Sequence, residues 1–387
     1  MKYKSFDQHS YLPQLDSLRF FAVFGVLVAH FWHHKKLPWL LGEMDWASLG
    51  VRLFFVLSGF LITKILLDCR QAVENQSQSP YFSLRQFYVR RFLRIFPIYY
   101  LLIFIILIVD VPPAREIWGW LATYTTNIYI TLNQDWIGKF GHLWSLAVEE
   151  QFYLIWPWLV LFAPRKWLTP LMAIVILLAP LYRFFAYQYY PFDIWAMDFK
   201  AGTFTLASLD SLGMGSLLAL VWNSGMPKEN LQKYLTRWIL PVGILLYLAT
   251  LAVFHYGIKP SIFFTLSDLA VSLIFVWLVS SAGLGFQGRL GSFLLFPPFV
   301  FLGKISYGIY LYHNFMPLLI SPVFEYLNIP FQVPSFENFV FSGILTVIVA
   351  SLSWRFIELP INNMKRYFQY SPKTTVSAPE SEVLTGS

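Results

Sequence analysis

Long apolar stretches recur along the chain at approximately 17–33, 46–67, 92–110, 145–163, 168–187, 204–222, 237–256, 262–282, 300–321 and 337–359, each bounded by Pro, Gly or charged residues. A bilayer core takes about 20 apolar residues per helix. The pattern therefore predicts an all-α, polytopic integral membrane bundle of about ten transmembrane helices. The first stretch follows Met1-Lys2-Tyr3-Lys4 as a signal peptide would, but it contains Arg19 and His30 and no small-residue cleavage site follows it. It reads as an uncleaved membrane helix. An even number of spans puts both termini on one side. The segments on that side hold about 17 Lys and Arg and the opposite loops about six, so both termini are expected in the cytoplasm, with the protein in the plasma (inner) membrane. Within 111–144, Ile117-Trp118-Gly119-Trp120-Leu121 and Tyr124 predict an interfacial helix against the lipid headgroups rather than another span. Residues 1–370 are the expected transmembrane domain, and the Ser/Thr/Pro/Glu-rich 371–387 a disordered cytoplasmic tail.

Composition agrees with a membrane solvent: 57% of the residues are hydrophobic, 19% aromatic and 13% charged, against roughly 25% charged in soluble domains. The formal charge of +7 reads as a topology signal, and nucleic acid is not an expected partner. Cys69, the single cysteine, permits no intramolecular disulfide or thiolate metal cage and is expected to be a small buried hydrophobe. No metal is expected. There is no Walker A run, GxSxG, HExxH or GxGxxG, so ATP-driven transport, a serine-hydrolase elbow and dinucleotide redox chemistry lose their usual support.

The predicted spans carry ionisable groups, which in a membrane are functional-site hypotheses. Arg19 and His30 are eleven residues apart, about three turns, and so share a helix face roughly 16 Å apart along the axis. His30, Arg52, Glu149, Glu150, Asp210, Asp268 and His313 are expected in the outer half. At the inner surface Arg90-Arg91-Phe92-Leu93-Arg94 is read as opening a span, with Arg91 and Arg94 on one face. Guanidinium forks at a helix N-terminus suit a multiply phosphorylated ligand, and a positive-inside anchor is the alternative. Glu149 and Glu150 point about 100° apart, so one could hold a proton or orient an imidazole while the other pairs elsewhere, for instance with Arg52 or Arg183. Ser306, Tyr310 and His313 form a polar stripe at i, i+4 and i+7, suited either to helix–helix hydrogen bonds or to lining a substrate site. Ser58-Gly59 is read as close packing, with a Ser58 nucleophile as the alternative.

These pieces resemble the membrane-bound acyltransferase-3 family of polysaccharide, peptidoglycan and small-molecule O-acyltransferases. The match is carried by Leu15-Asp16-Ser17-Leu18-Arg19 through His30, Phe54-Phe55-Val56-Leu57-Ser58-Gly59-Phe60-Leu61-Ile62 and Arg91-x-x-Arg94. It continues through the Trp144–Tyr153 run around Glu149-Glu150, Ser306-Tyr307-Gly308-Ile309-Tyr310-Leu311-Tyr312-His313 and Glu358-Leu359-Pro360. The resemblance implies an acyl-CoA donor, most simply acetyl-CoA, arriving from the cytoplasm, and an acceptor hydroxyl on a glycan or small molecule at the other side. It implies His30 as the catalytic centre, with the Arg91/Arg94 pair, beside Arg90, at the nucleotide end of coenzyme A. On this reading His30 deprotonates the acceptor, Glu149 or Glu150 orients the imidazole, and Arg19 positions the donor or polarises its carbonyl. His142, His313, Tyr310, Asp210 and Arg52 are expected to line the substrate site. The sequence departs from the family pattern at Ser208, where Arg is frequent, and at Arg52, where Asp is frequent. Some members carry a fused extracytoplasmic hydrolase-like domain. For this chain, delivery is expected either directly or through a separate extracytoplasmic acyl-acceptor protein. Rival readings are a proton-coupled transporter or flippase, a polyprenyl-phosphate glycosyltransferase, and an acyltransferase acting on a macrolide-like molecule.

Overall fold

The computed structural model describes residues 11–32, 45–189, 200–257 and 260–370. The expected tail at 371–387 lies outside the described residues, as do Lys2, Lys4, Lys35, Lys36, Lys259 and Lys373 of the charge census. Every regular element among the described residues is helical. The helices are α1 (Pro13–Phe31), α2 (Trp46–Glu74), α3 (Pro80–Val109), the short α4 (Trp118–Ala122) and α5 (Thr126–Asn133), α6 (Leu143–Phe162), α7 (Arg165–Tyr189) and α8 (Leu209–Trp222). There follow α9 (Lys228–His255) and α10 (Pro260–Leu284), then α11 (Gly288–Leu294), α12 (Pro297–Lys304), α13 (Ser306–Tyr312), α14 (Met316–Tyr326) and α15 (Phe336–Tyr367).

Among the described residues, eight helices are long and apolar enough to cross a membrane, two fewer than the ten apolar stretches. Stretch 145–163 does form a helix, α6, but Glu149, Glu150 and Gln151 dilute its apolar character. Stretch 300–321 breaks at Ile305 and passes through a 3₁₀ turn at His313–Phe315, giving three short helices in place of one span. Both departures carry the polar groups that the apolar pattern predicted as candidates for chemistry.

Close backbone approach sets the centre of the bundle. Gly59 on α2 faces the Leu212 carbonyl, and Gly215 on α8 faces the Val56 carbonyl. A side chain at either position would meet main chain, so the α2–α8 crossing requires small residues. α1 packs on α2 and α12, and α9 on α10. Arg70 closes the end of α6, donating to the carbonyls of Val160 and Ala163 at 2.7 Å each, where a cation also complements the helix dipole.

The segment predicted as an interfacial helix forms the short helix α4 and no further span; Trp118 is exposed while the opposite side packs on the bundle. Leu121, Thr126, Asn127 and Ile130 are fully buried. Tyr99 and Tyr100 of α3 donate from their hydroxyls to the carbonyls of Leu121 and Ala122, 2.8 Å each. Tyr99 lies ten residues before the end of α3, about 15 Å along its axis, so α4 turns inward beside α3. Gln151 donates to the Tyr124 carbonyl at 2.8 Å and to Asn127 Oδ1 at 3.0 Å. Side chains of α3 and α6 thus satisfy the carbonyls of this irregular backbone.

Candidate active site

Two cavities lie along the face of α1 that carries both Arg19 and His30. The larger, about 720 Å³, is lined by His30, Arg52, Lys139, His142, Trp144, Arg183, Asp268, Tyr310 and Asn314 among others. The smaller, about 230 Å³, is lined by Arg19, Ser58, Arg91, Arg94, Glu149, Glu150, Tyr153 and Tyr310 against Phe54, Phe55 and Ile62. Val51 and Tyr310 belong to both walls. The Tyr310 hydroxyl donates to the His142 carbonyl at 2.9 Å and sits 2.6 Å from Ser145 Oγ, which fixes this side chain between the two spaces.

In the larger cavity His30 Nδ1 lies 2.9 Å from His313 Nε2. His313 is fully buried behind it, with Nδ1 2.6 Å from the Tyr310 carbonyl. His142 caps this cluster at the start of α6, its Nε2 3.2 Å from the Leu311 carbonyl, and Asn314 lies 3.0 Å from its Nδ1.

A buried charge network forms another part of the wall. Arg183 bonds Asp210 at 2.6 Å and Asp268 at 3.4 Å, and Arg52 bonds Asp268 at 2.6 Å and Ser208 Oγ at 2.8 Å. The two positions expected to depart from the family pattern, 52 and 208, bond each other. Arg52 brings the positive charge beside Ser208, and Asp268 is its acid partner. Arg52 and Arg183 pair with these aspartates rather than with Glu149 or Glu150.

The smaller cavity has a different chemistry. Arg19 is held by Asp16 at 2.6 Å, whereas neither Arg91 nor Arg94 makes an ion pair or hydrogen bond among the described residues. Arg91 lies over the rings of Phe87 and Tyr153. Ser58 donates to Glu149 Oε1 at 2.5 Å, and Tyr153 donates to Ser58 Oγ at 3.0 Å.

This placement alters several expectations. Glu149 and Glu150 stand with the arginines and not with His30, because position 149 is seven residues, about 10 Å, further along α6 than His142. His30 has a histidine, not a carboxylate, at its Nδ1. Asp210 and His313 are behind the wall rather than on it; Tyr310, Arg52 and His142 do line it. Arg91 and Arg94 lie about three and four turns inside α3, which begins at Pro80, so no free helix N-terminus assists them. Arg90 faces away, donating to the carbonyls of Lys365 and Phe368 at 3.1 Å. Arg183, Asp268, Tyr153 and Asn314 join the two sites without having been singled out as lining residues. Their signal was a polar side chain in an apolar run, shared with many structural residues. Among the described residues no group of three His, Cys, Asp or Glu is arranged to hold a metal ion.

Comparison with known proteins bears on these cavities. A family model described as an acyltransferase domain, acyltransferase-3, matches residues 12–355. The O-acetyltransferase OatA of Staphylococcus aureus (strain NCTC 8325 / PS 47) is 28% identical over 94% of this chain and 59% of its own length. The peptidoglycan O-acetyltransferase OatA of Listeria monocytogenes is 32% identical over 93% of this chain and 57% of its own. A putative peptidoglycan O-acetyltransferase of Bacillus subtilis, YrhL, is 29% identical over 93% and 56%. The chain thus spans less than two thirds of these relatives. No solved structure matches it.

Proposed function

The chain belongs to the acyltransferase-3 family, and from that premise we propose that it is an inner-membrane O-acetyltransferase. It takes the acetyl group from cytoplasmic acetyl-CoA and places it on a hydroxyl of an extracytoplasmic or lipid-linked glycan. The observation that carries this reading is the pair of cavities on one face of α1, with the arginines at one and His30 at the other. Arg91 and Arg94 present forks that are unpaired among the described residues and suited to phosphate oxygens. From Arg19 to His30 is about 16 Å, a gap that the extended pantetheine arm of coenzyme A crosses. The relatives' printed names, O-acetyltransferase and peptidoglycan O-acetyltransferase, support the acetyl group and the glycan class.

The reaction runs as general-base catalysis in the larger cavity. His30 takes the proton of the acceptor hydroxyl as its oxygen attacks the thioester carbonyl. The carbon–sulfur bond breaks, and the proton passes to the departing CoA thiolate. Arg19, one cavity away, positions the donor and is too distant to polarise a carbonyl held at His30. Glu149 and Glu150 balance the charge of the donor cavity. The wall at Arg52, His142 and Tyr310 receives the acceptor.

The test is mass spectrometry of cell-envelope glycans from cells making the wild type, His30→Ala or no protein, with and without mild alkali to remove O-esters. An alkali-labile acetyl-sized shift confined to the wild type is expected. Such a shift persisting with a correctly inserted His30→Ala protein would remove His30 from the reaction. A hexose-sized shift would replace acyl transfer by glycosyl transfer.

A further inference from the structure

Two contacts determine where the lone pair of His30 must lie. The Tyr310 carbonyl oxygen can only accept a hydrogen bond, so His313 Nδ1, 2.6 Å away, carries the hydrogen. A neutral imidazole has one N–H, which leaves Nε2 of His313 as an acceptor. His30 Nδ1 stands 2.9 Å from that nitrogen and must therefore be the donor. The two ring planes are 20° apart with centroids 5.0 Å apart. Nitrogens 2.9 Å apart with centroids 5.0 Å apart place the contact at the ring edges rather than between the ring faces. With its hydrogen on Nδ1, neutral His30 carries its lone pair on Nε2, which has no hydrogen-bond partner among the described residues.

We propose that His313 is a positioning residue that sets the tautomer and ring orientation of His30, leaving Nε2 as the atom that takes the acceptor's proton. The proposal deepens the general-base reading above and rests on it. Its anchor is local. The chain changes from α-helix to a 3₁₀ turn at His313, and the ring folds back onto the carbonyl three residues earlier. Tyr310 is itself tied to the start of α6 through His142 and Ser145. When His30 becomes an imidazolium, its Nδ1–H keeps the same neutral acceptor. The role parallels that of the buried carboxylate in a hydrolase triad, where the wrong tautomer lowers kcat by about 10⁴-fold. Here the partner carries no charge, so a smaller effect, on the order of 10²-fold, is expected.

The experiment uses the full chain in detergent or proteoliposomes, with acetyl-CoA as donor and a soluble glycan fragment as acceptor. His313→Ala is expected to lower kcat about 10²-fold while the donor KM changes less than about twofold. Incorporating Nδ1-methylhistidine at position 30 in the His313→Ala protein locks the lone pair on Nε2, in space the deletion has opened. It is expected to restore kcat at least about tenfold, which repair of a merely structural defect would not do. A kcat within about threefold of wild type for His313→Ala, or no recovery with the methylated residue, overturns the proposal. Should His313→Ala fail to insert, His313→Gln carries the test. Its Oε1 still accepts from His30, so an inserted protein is expected within about tenfold of wild-type kcat, and a deeper loss overturns the proposal. Transfer retained by His30→Ala would instead remove the base itself. An inactive His30→Ala beside a normal His313→Ala would remove only the role of His313.

Discussion

Replacing Arg94 by Gln should separate binding from stability. In most buried ion pairs, deleting one partner leaves an uncompensated charge and costs about 3–5 kcal/mol. Arg94 differs, because it lines the smaller cavity with no hydrogen bond or ion pair of its own among the described residues. The substitution breaks no direct contact there: Glu149 keeps its bond from Ser58. The apparent melting temperature in detergent should therefore fall by no more than about 2 °C, the shift of a typical exposed substitution. Donor binding should suffer instead. A hydrogen bond to a charged group contributes about 1.5–3 kcal/mol, so loss of one guanidinium–phosphate contact predicts a KM for acetyl-CoA raised by roughly 10–150-fold. With the acceptor saturating, kcat should stay within about threefold, since the contact is made equally before and during the chemical step. The assay is continuous release of CoA thiol, run beside a thermal melt of the same preparation. An unchanged donor KM would refute the phosphate-site reading. A melting temperature lowered as far as by loss of a true ion pair would refute the assignment of Arg94 as unpaired.

Three further outcomes follow from the packing. Arg183→Leu strands Asp210 in full burial and should destabilise the protein by about 3–5 kcal/mol, seen as a clear drop in the detergent melting temperature; an unchanged melt would mean the network is not a unit. Gly215→Val would press a side chain on the Val56 carbonyl and the Phe60 amide, with an expected loss of about 1–3 kcal/mol or more by the same measurement, and a neutral result would deny the close α2–α8 crossing. Tyr99→Phe removes the hydroxyl that holds the Leu121 carbonyl, and should cost about 0.5–1.5 kcal/mol and speed proteolysis within 111–144; unaltered cleavage would place that segment elsewhere.

The architecture was most legible where a continuous apolar run meets no competing polarity, as in α2, α3 and α10. It was least legible where polar residues interrupt the run. Glu149, Glu150 and Gln151 lower the hydropathy of α6 because they serve the cavity and the Tyr124 turn. The stretch near His313 breaks at Ile305 and again at the 3₁₀ turn, where His313 and Asn314 interrupt the apolar run. The aromatic character of 117–124 reads equally well as headgroup contact or as buried packing. What holds its inner side to the bundle is a pair of tyrosine hydroxyls on α3, about 22 residues earlier in sequence, which no periodicity in the segment itself announces. Helix-face arithmetic put Arg19 and His30 on one face of α1, and each lines one of the two cavities. It could not say which cavity a glutamate on α6 enters, because that depends on the rotation and depth of one helix relative to another.

The wall at Tyr310 also bears on electricity. If the donor cavity opens to the cytoplasm and the acceptor cavity to the other side, the insulating thickness would shrink to the few side chains that the two spaces share, and most of the transmembrane voltage would fall across them. A neutral acetyl group passes that step without electrical work. An acyl group bearing an ammonium, such as an aminoacyl group, would climb outward against an inside-negative potential by about 2.3 kcal/mol per 100 mV. The same thin partition that shortens the route for the thioester would thus discriminate among acyl groups by charge, in proportion to how well the cell is energised.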